Sequence, residues 1–353
     1  MGVVAYFTAE IGLWSELHTY SGGLGVLAGD HVKSAADDEL PLVGVTLLYR
    51  RGYGRQHLDQ NGIQTETYRD LDPAKHLKDT GVILSLPLDG TELLARVWKA
   101  EIRGVTGHTV PVFFLDTFHP ENSERHLNLG LTLYGGDDWV RIRQEYLLGV
   151  GGVRLLEQMG YDVDGLHLNE GHCTFALLEM LGKGWSREEL AKRVLFTTHT
   201  PVPAGHDRFQ WGDVEEVLGE LMPKDAKQLV IDAGDPENGE RISMSHLAVA
   251  LSGPVNAVSN LNAWVASSMF ADHHIAPITN GVHHITWTSP AMSELFDTHL
   301  EGWKEDPTKL AHAGRIPTED LAESRDKARK VLRDLVKVGT CLLYTSPSPR
   351  DCQ

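Results

Sequence analysis

Cysteine is nearly missing from this chain: there are three in 353 residues, and two of them, Cys341 and Cys352, fall in its final segment. Cys173 then has no partner upstream, which excludes a disulfide framework and suits a reducing compartment such as the cytoplasm. Basic residues are also scarce. Lys and Arg total 32 against 49 Asp and Glu, a formal net charge of −17, which repels nucleic acid and anionic membrane surfaces at long range. No stretch approaches the roughly 18 apolar residues of a membrane span, and Met1 leads almost directly into a strand pattern without a basic, cleavable leader. The motifs GxGxxG, GxxxxGK[ST], HExxH, CxxC and GxSxG do not occur. Nucleotide binding of the common kinds, a zinc-protease centre and a serine-hydrolase elbow are therefore not expected. Eighteen histidines include the pairs His273-His274 and His283-His284, but none has ligand spacing, and no metal site is expected. A neutral partner such as a carbohydrate is the easiest to accommodate.

What is present is an ordinary globular composition, 41% hydrophobic and 23% charged, in a chain long enough for two domains or one and part of another. The β-branched and aromatic run Val3, Val4, Tyr6, Phe7 reads as a buried strand, and Leu24, Leu27, Val32 and Ala35 keep helical spacing. Leu42 to Leu48 completes a βαβ unit. Between the first strand and the helix lies Ser21-Gly22-Gly23-Leu24-Gly25. Glycines there leave amides bare at the positive end of a helix, or merely permit tight packing; the stretch alone leaves both open. Residues 82–115 alternate as an antiparallel insertion, and 139–159 read as one helix stopped by Gly160. Strands at 165–168, 194–198, 256–259 and 276–279 then alternate with helices at 174–181, 214–221, 243–251 and 261–270. That alternation predicts an α/β fold with a doubly wound, mostly parallel sheet, whose ligands bind off the carboxyl ends of the strands.

Four polar loops are candidates for that crevice: Ser21–Gly25, Tyr134–Asp138, His167–His172 and Thr197–His206. Asn169 and Glu170 are placed to cap a helix, and Glu170 equally to bond sugar hydroxyls or orient His199. Residues 318–338 read as a charged amphipathic helix. After Gly339 the composition changes abruptly, and 340–353 resemble translated adaptor read-through; the natural chain is expected to continue past Gly339.

Six runs in order carry a family resemblance: Tyr20–His31, Leu40–Val45, Leu133–Asp137, His167–His172, Thr197–Asp207 and Thr279 to Trp287. Together they resemble the short bacterial form of α-glucan (glycogen or maltodextrin) phosphorylase, over most of the chain. The resemblance implies the N-terminal Rossmann-like domain of a glycosyltransferase type-B fold over 1–287, and a helical segment at 288–339 leading to a second Rossmann-like domain that is essentially absent. It also implies phosphorolysis of α-1,4-glucans by inorganic phosphate with retained configuration, and a homodimer at full length. By the same resemblance His199 is the catalytic residue, and Gly22, Gly23, Leu24, Asp137, Asp138, Glu170 and Thr200 face substrate. Gly22 and Trp287 adjoin pyridoxal phosphate, whose Schiff-base lysine belongs to the missing domain, so that the chain alone is expected to be inactive. Where the family has Lys-Leu-His-Gly, this sequence has Asn260-Leu261-Asn262-Ala263. Two rivals remain. Glycogen or starch synthase shares the fold but uses a sugar nucleotide and carries a basic residue where Thr19-Tyr20-Ser21 stand, and the chain could be a non-catalytic carbohydrate-binding fragment.

Overall fold

The computed structural model describes residues 2–202, 205–233, 241–270 and 273–340. Residues 341–353 of the expected tail, and Pro203 and Ala204 of the fourth loop, lie outside the described residues. In chain order the first half contains β1 (Val3–Thr8), α1 (Gly23–Asp37), β2 (Leu42–Leu47), β3 (Arg55–Leu58), β4 (Gln64–Thr67), β5 (Lys78–Leu88), β6 (Thr91–Arg103), β7 (Thr109–Asp116), α2 (Glu124–Asn128), α3 (Asp138–Tyr146), α4 (Gly152–Gln158) and β8 (Val163–Asn169). There follow α5 (Phe175–Gly182), α6 (Arg187–Arg193), β9 (Val194–Thr198), β10 (Arg208–Gln210), α7 (Trp211–Leu218), α8 (Ala226–Asp232), β11 (Arg241–Ser243), α9 (Met244–Leu251), β12 (Val255–Ala257), α10 (Asn260–Met269), β13 (Ile275–Pro277), α11 (Pro290–His299) and α12 (Thr318–Thr340).

Nine strands form one sheet in the order β13-β12-β9-β8-β1-β2-β7-β6-β5. From β13 to β7 every pairing is parallel, and β7-β6-β5 is antiparallel. The stretch read as an insertion is therefore the far edge of the main sheet. Side chains alternate between two cores, as the period of a strand requires. Phe7, Val43, Val45, Leu93, Val97, Phe113 and Leu115 face the larger core. Tyr6, Leu42, Trp98, Ile102, Val112 and Phe114 face a smaller one with Ala28, Val32 and Ala35 of α1.

The expected helix at 139–159 is broken by one π turn, Leu147–Gly151, between α3 and α4. Its glycines allow close approach: a Cβ on Gly149 would lie 2.5 Å from the Ala176 nitrogen, and one on Gly152 would lie 2.5 Å from Phe7 Cε1. The spacing pattern of the sequence is nearly blind to such a widening, because residues 147–153 are all apolar or glycine and all buried, so no polar face marks a change of phase.

The chain divides into two compact units, ending and beginning at Gly281 and Val282. In the second, Leu295, Leu300, Trp303 and Ile316 make a small core, and α12 leaves Val331, Leu332 and Leu335 exposed. Among the described residues no helix is long and apolar enough to cross a membrane.

In the first unit the chain runs from β1 outward through α1 to β2, then returns to lay β8 on the other side of β1. The order reverses between β1 and β8, so the loops leaving their carboxyl ends diverge and open a crevice.

Candidate active site

The loop that leaves β1 contributes Glu10, only 2% exposed. Its Oε2 accepts hydrogen bonds from the Ser21 backbone N–H at 2.6 Å and the Ser21 hydroxyl at 3.3 Å, and its Oε1 accepts from the Tyr134 hydroxyl at 2.8 Å. One buried carboxylate thus fastens the first and second candidate loops together. Burial, first, and then the Glu10 charge push the Tyr134 phenol far above its ordinary pKa, so it stays a donor.

The glycines of the first loop divide by role. A Cβ on Gly25 would lie 2.5 Å from Tyr20 Cβ and 2.8 Å from Glu10 Oε2, and one on Gly29 would lie 2.0 Å from the Gly12 carbonyl oxygen. Those two serve packing. At Gly22 and Gly23 a Cβ would meet nothing within 4 Å, and both are exposed. Gly22 occupies the N-cap of α1 without a side-chain cap, and no acidic residue lies in the first turn. The first amides of α1 are left uncapped, and this is the local chemistry that suits an anion.

At the carboxyl end of β8, Glu170 is 3% exposed with φ of 77°. Its Oε2 accepts from the His199 N–H at 2.8 Å, the Thr200 N–H at 3.1 Å and the Thr200 hydroxyl at 3.0 Å, while Oε1 accepts from the Gly171 N–H at 3.3 Å. Burial raises the pKa of this carboxyl, but the His206 and His199 rings and the His199 N–H outweigh it and hold the group below the ordinary carboxylate range. Asn169, 1% exposed, caps nothing. Its Nδ2 donates to the Thr8 hydroxyl at 3.0 Å, which leaves Oδ1 to accept from His199 Nε2 at 2.6 Å. The expected cap is displaced because Glu170, not Asn169, is the N-cap of the short turn Gly171–Cys173.

His199 is held from a third direction as well. Asn262, in the first turn of α10, donates from Nδ2 to the His199 carbonyl oxygen at 3.2 Å. Its own Oδ1 accepts from the Val258 N–H at 3.1 Å, and its backbone N–H is capped by Ser259. The N–H, ring and carbonyl of one histidine are thereby fixed by Glu170, Asn169 and Asn262. Burial lowers the His199 pKa, against the opposing pull of Glu170 and Glu10, which favours the neutral ring. With Nε2–H committed to Asn169, the lone pair of Nδ1 is the free acceptor.

The remaining candidates are engaged elsewhere. Asp137 caps α3 through the Val140 N–H at 3.1 Å, and Asp138 pairs with Arg241 at 3.2 Å. Trp287 belongs to the second unit, where its N–H donates to the His283 carbonyl and its indole is exposed. Among the described residues no three His, Cys, Asp or Glu side chains gather as a metal site would. Glu10 and Asn262 were not among the residues singled out from the sequence. A lone acid at the carboxyl end of an apolar strand was the available signal for Glu10. Asn262 carried none beyond its departure from the expected pattern.

No protein-family profile matches the chain. It is 34% identical over 364 residues to the maltodextrin phosphorylase of Thermococcus litoralis, covering 95% of this chain and 43% of that protein. It is 35% identical over 331 residues to the glycogen phosphorylase of Mycobacterium tuberculosis, covering 83% of this chain and 38% of that protein. A third relative, the glycogen phosphorylase of Aquifex aeolicus, is 31% identical over 363 residues, covering 95% and 52%. The chain spans about two-fifths to one-half of the length of the curated relatives it matches.

Proposed function

Because this chain belongs to the glucan phosphorylase family and matches roughly the N-terminal half of its members, we propose that it supplies the glucan-facing wall of an enzyme that cleaves α-1,4-glucans with inorganic phosphate, releasing glucose 1-phosphate with retained configuration. The observation that carries this reading is the three-way fixing of His199 by Glu170, Asn169 and Asn262. A carbonyl oxygen locked in place before substrate arrives needs no reorganisation as positive charge develops at the anomeric carbon, and this is electrostatic preorganisation. The neutral ring offers Nδ1 to the 6-hydroxyl of the same glucosyl unit. Glu170 acts through His199 and Thr200 by holding their backbone.

Gly22, Gly23 and Leu24 present their amides to phosphate and sugar, a role supported by the uncapped start of α1. Asp137 and Asp138 belong to the sugar-facing loop, which Tyr134 and Glu10 tether at its other end. Pyridoxal phosphate, when bound, supplies a phosphate that donates and accepts a proton, and the open amides beside Gly22 fit such an anion. A cytoplasmic setting is supported by the buried free thiol of Cys173, and a homodimer is the assembly expected at full length.

The test is His199→Ala in the protein at its full natural length. Removal of the ring should cost about 10²–10³-fold in kcat for phosphorolysis of maltodextrin. A near-normal rate removes His199 from the site, and a requirement for a sugar nucleotide in place of phosphate overturns the reaction itself.

A further inference from the structure

Behind the candidate site lies a second polar cluster. Glu145, in the last turn of α3, is 3% exposed, and both of its carboxylate oxygens lack a hydrogen-bond donor. Asp207, just before β10, is within side-chain bonding reach of it. Asp207 Oδ2 in turn receives Arg141 at 2.5 Å and His172 Nε2 at 3.1 Å. Two carboxylates are both acceptors, so no bond joins them unless one carries a proton. Arg141 supplies one positive charge, which balances one carboxylate. With His172 as the neutral Nε2–H tautomer that donates to Asp207, a second ionised carboxylate in the same dry cluster would remain uncompensated at a cost of several kcal/mol.

Asp207 is the better placed of the two to stay ionised. It has two donors from separate elements, and although burial opposes it, His172 and Arg141 hold its carboxyl well below the ordinary range. Glu145 has none, and burial first, then the Asp207 charge, pushes it well above. Tyr49 and Cys173 also face the cluster, and both are themselves pushed up by burial, so neither adds negative charge at neutral pH.

Beside the pair is a cavity of about 10 Å³ lined by Tyr49, Tyr134, Arg141, Gln144, Glu145 and His172, among others. That is room for one water, and a buried water needs two or more polar partners. Three buried polar atoms without partners belong to residues on this wall: Oε1 and Oε2 of Glu145 and Nδ1 of His172. If Nε2–H of His172 donates to Asp207, Nδ1 is left as an acceptor. A water there can donate both its hydrogens, one to Glu145 and one to His172.

We propose that Glu145 is a neutral carboxylic acid that donates its proton to Asp207, that one water in the adjoining cavity bridges Glu145 to His172, and that Glu145 is thereby a positioning residue for the loop between His199 and Asp207. The cluster reaches three candidate loops at once. Asp207 ends the loop that begins at His199, His172 follows Glu170, and Arg141 stacks its guanidinium 5.1 Å from the Tyr134 ring, whose hydroxyl leads on to Glu10 and Ser21. The inference goes beyond the phosphorylase reading and does not depend on it.

Two variants separate the proposal from a merely structural role. Glu145→Gln keeps the shape and an N–H donor toward Asp207, while Glu145→Leu removes the donor. A group whose pKa is raised on folding binds more protons folded than unfolded, so its contribution to stability declines as pH rises above the unfolded value. The Tm of Glu145→Gln should therefore rise relative to wild type between about pH 5 and pH 9. Infrared difference spectra at neutral pH should show a protonated-carboxyl C=O stretch in wild type that the Gln variant lacks. Amide hydrogen exchange in the segment from His199 to Asp207 should speed up at least tenfold in Glu145→Leu and stay near wild type in Glu145→Gln. Absence of the protonated-carboxyl band, a Tm difference independent of pH, or equal exchange in both variants would each overturn the proposal. If the Leu variant does not fold, the band and the pH dependence of the Gln variant still decide it.

Discussion

Glu170 sits at φ of 77°, a backbone region a side chain adopts only when its surroundings hold it there. Its carboxylate is what does so, through the N–H groups of Gly171, His199 and Thr200 and the Thr200 hydroxyl. Glu170→Gln keeps the volume but turns one acceptor into a donor facing those same donors. The expected loss at neutral pH is about 1–3 kcal/mol, read by chemical denaturation. Because the folded pKa is depressed, that stability is present above the unfolded value and lost as pH falls through the folded one; the gap between variant and wild type should close on acidification, and a constant gap would contradict it. His167 gives a second acid-side effect. Burial, followed by the like charges of His31 and His199, lowers it to about 3, while its Nε2 bonds Thr197. The unfolded chain gains this proton first as pH falls below about 6.5, so stability drops from there toward pH 3. His167→Gln should blunt that drop in an acid titration followed by circular dichroism. An unchanged acid limb would show that the ring is not kept neutral by the fold.

At the scale of the element, the start of α1 separates two uses of glycine that the run of letters could not. Gly25→Ala should destabilise by about 1–3 kcal/mol, since its Cβ would press on Tyr20 and Glu10. Gly23→Ala meets open space, so the fold should keep its Tm. The same methyl would shield the first amides of α1, and inorganic phosphate should bind the full-length variant more weakly. Calorimetric titration beside a thermal scan gives both answers, and a Gly23 variant that unfolds early or binds phosphate normally would refute the division. The main parallel strands and the helices between them were legible because each is a contiguous apolar run or stripe, as β2 is with six buried residues in succession, whereas the short β3, β4, β10 and β11 and the helices α2, α6 and α8 were not expected from the sequence. The contacts that tie loops together were not. Tyr134 bonds Glu10 across 124 positions, and Asn262 reaches His199 across 63; no local pattern encodes either. The π turn between α3 and α4 escaped for a different reason, because the residues around it are buried on every side and carry no polar face that a change of phase would displace.

For the molecule as a whole, the alternation of elements carried the doubly wound sheet, and the reversal of strand order between β8 and β1 explains why the candidate loops meet where they do. The antiparallel strands read over 82–115 are present and extend the main sheet beyond β7, a placement their alternation alone does not decide, since an antiparallel pair looks the same whether it extends a sheet or leaves it. The six ordered motifs pointed to the family, and relatives 31–35% identical over most of the chain agree. These loops are proposed as the glucan-facing side of a phosphorolytic site. The most direct test of that role is phosphorus NMR of the full-length protein with maltodextrin and inorganic phosphate as the only small-molecule substrates. Phosphate should be converted to glucose 1-phosphate in the α configuration, and His199→Ala should abolish or strongly slow that conversion. A β-configured product, or no sugar phosphate from a folded, cofactor-loaded protein, would contradict the proposed role.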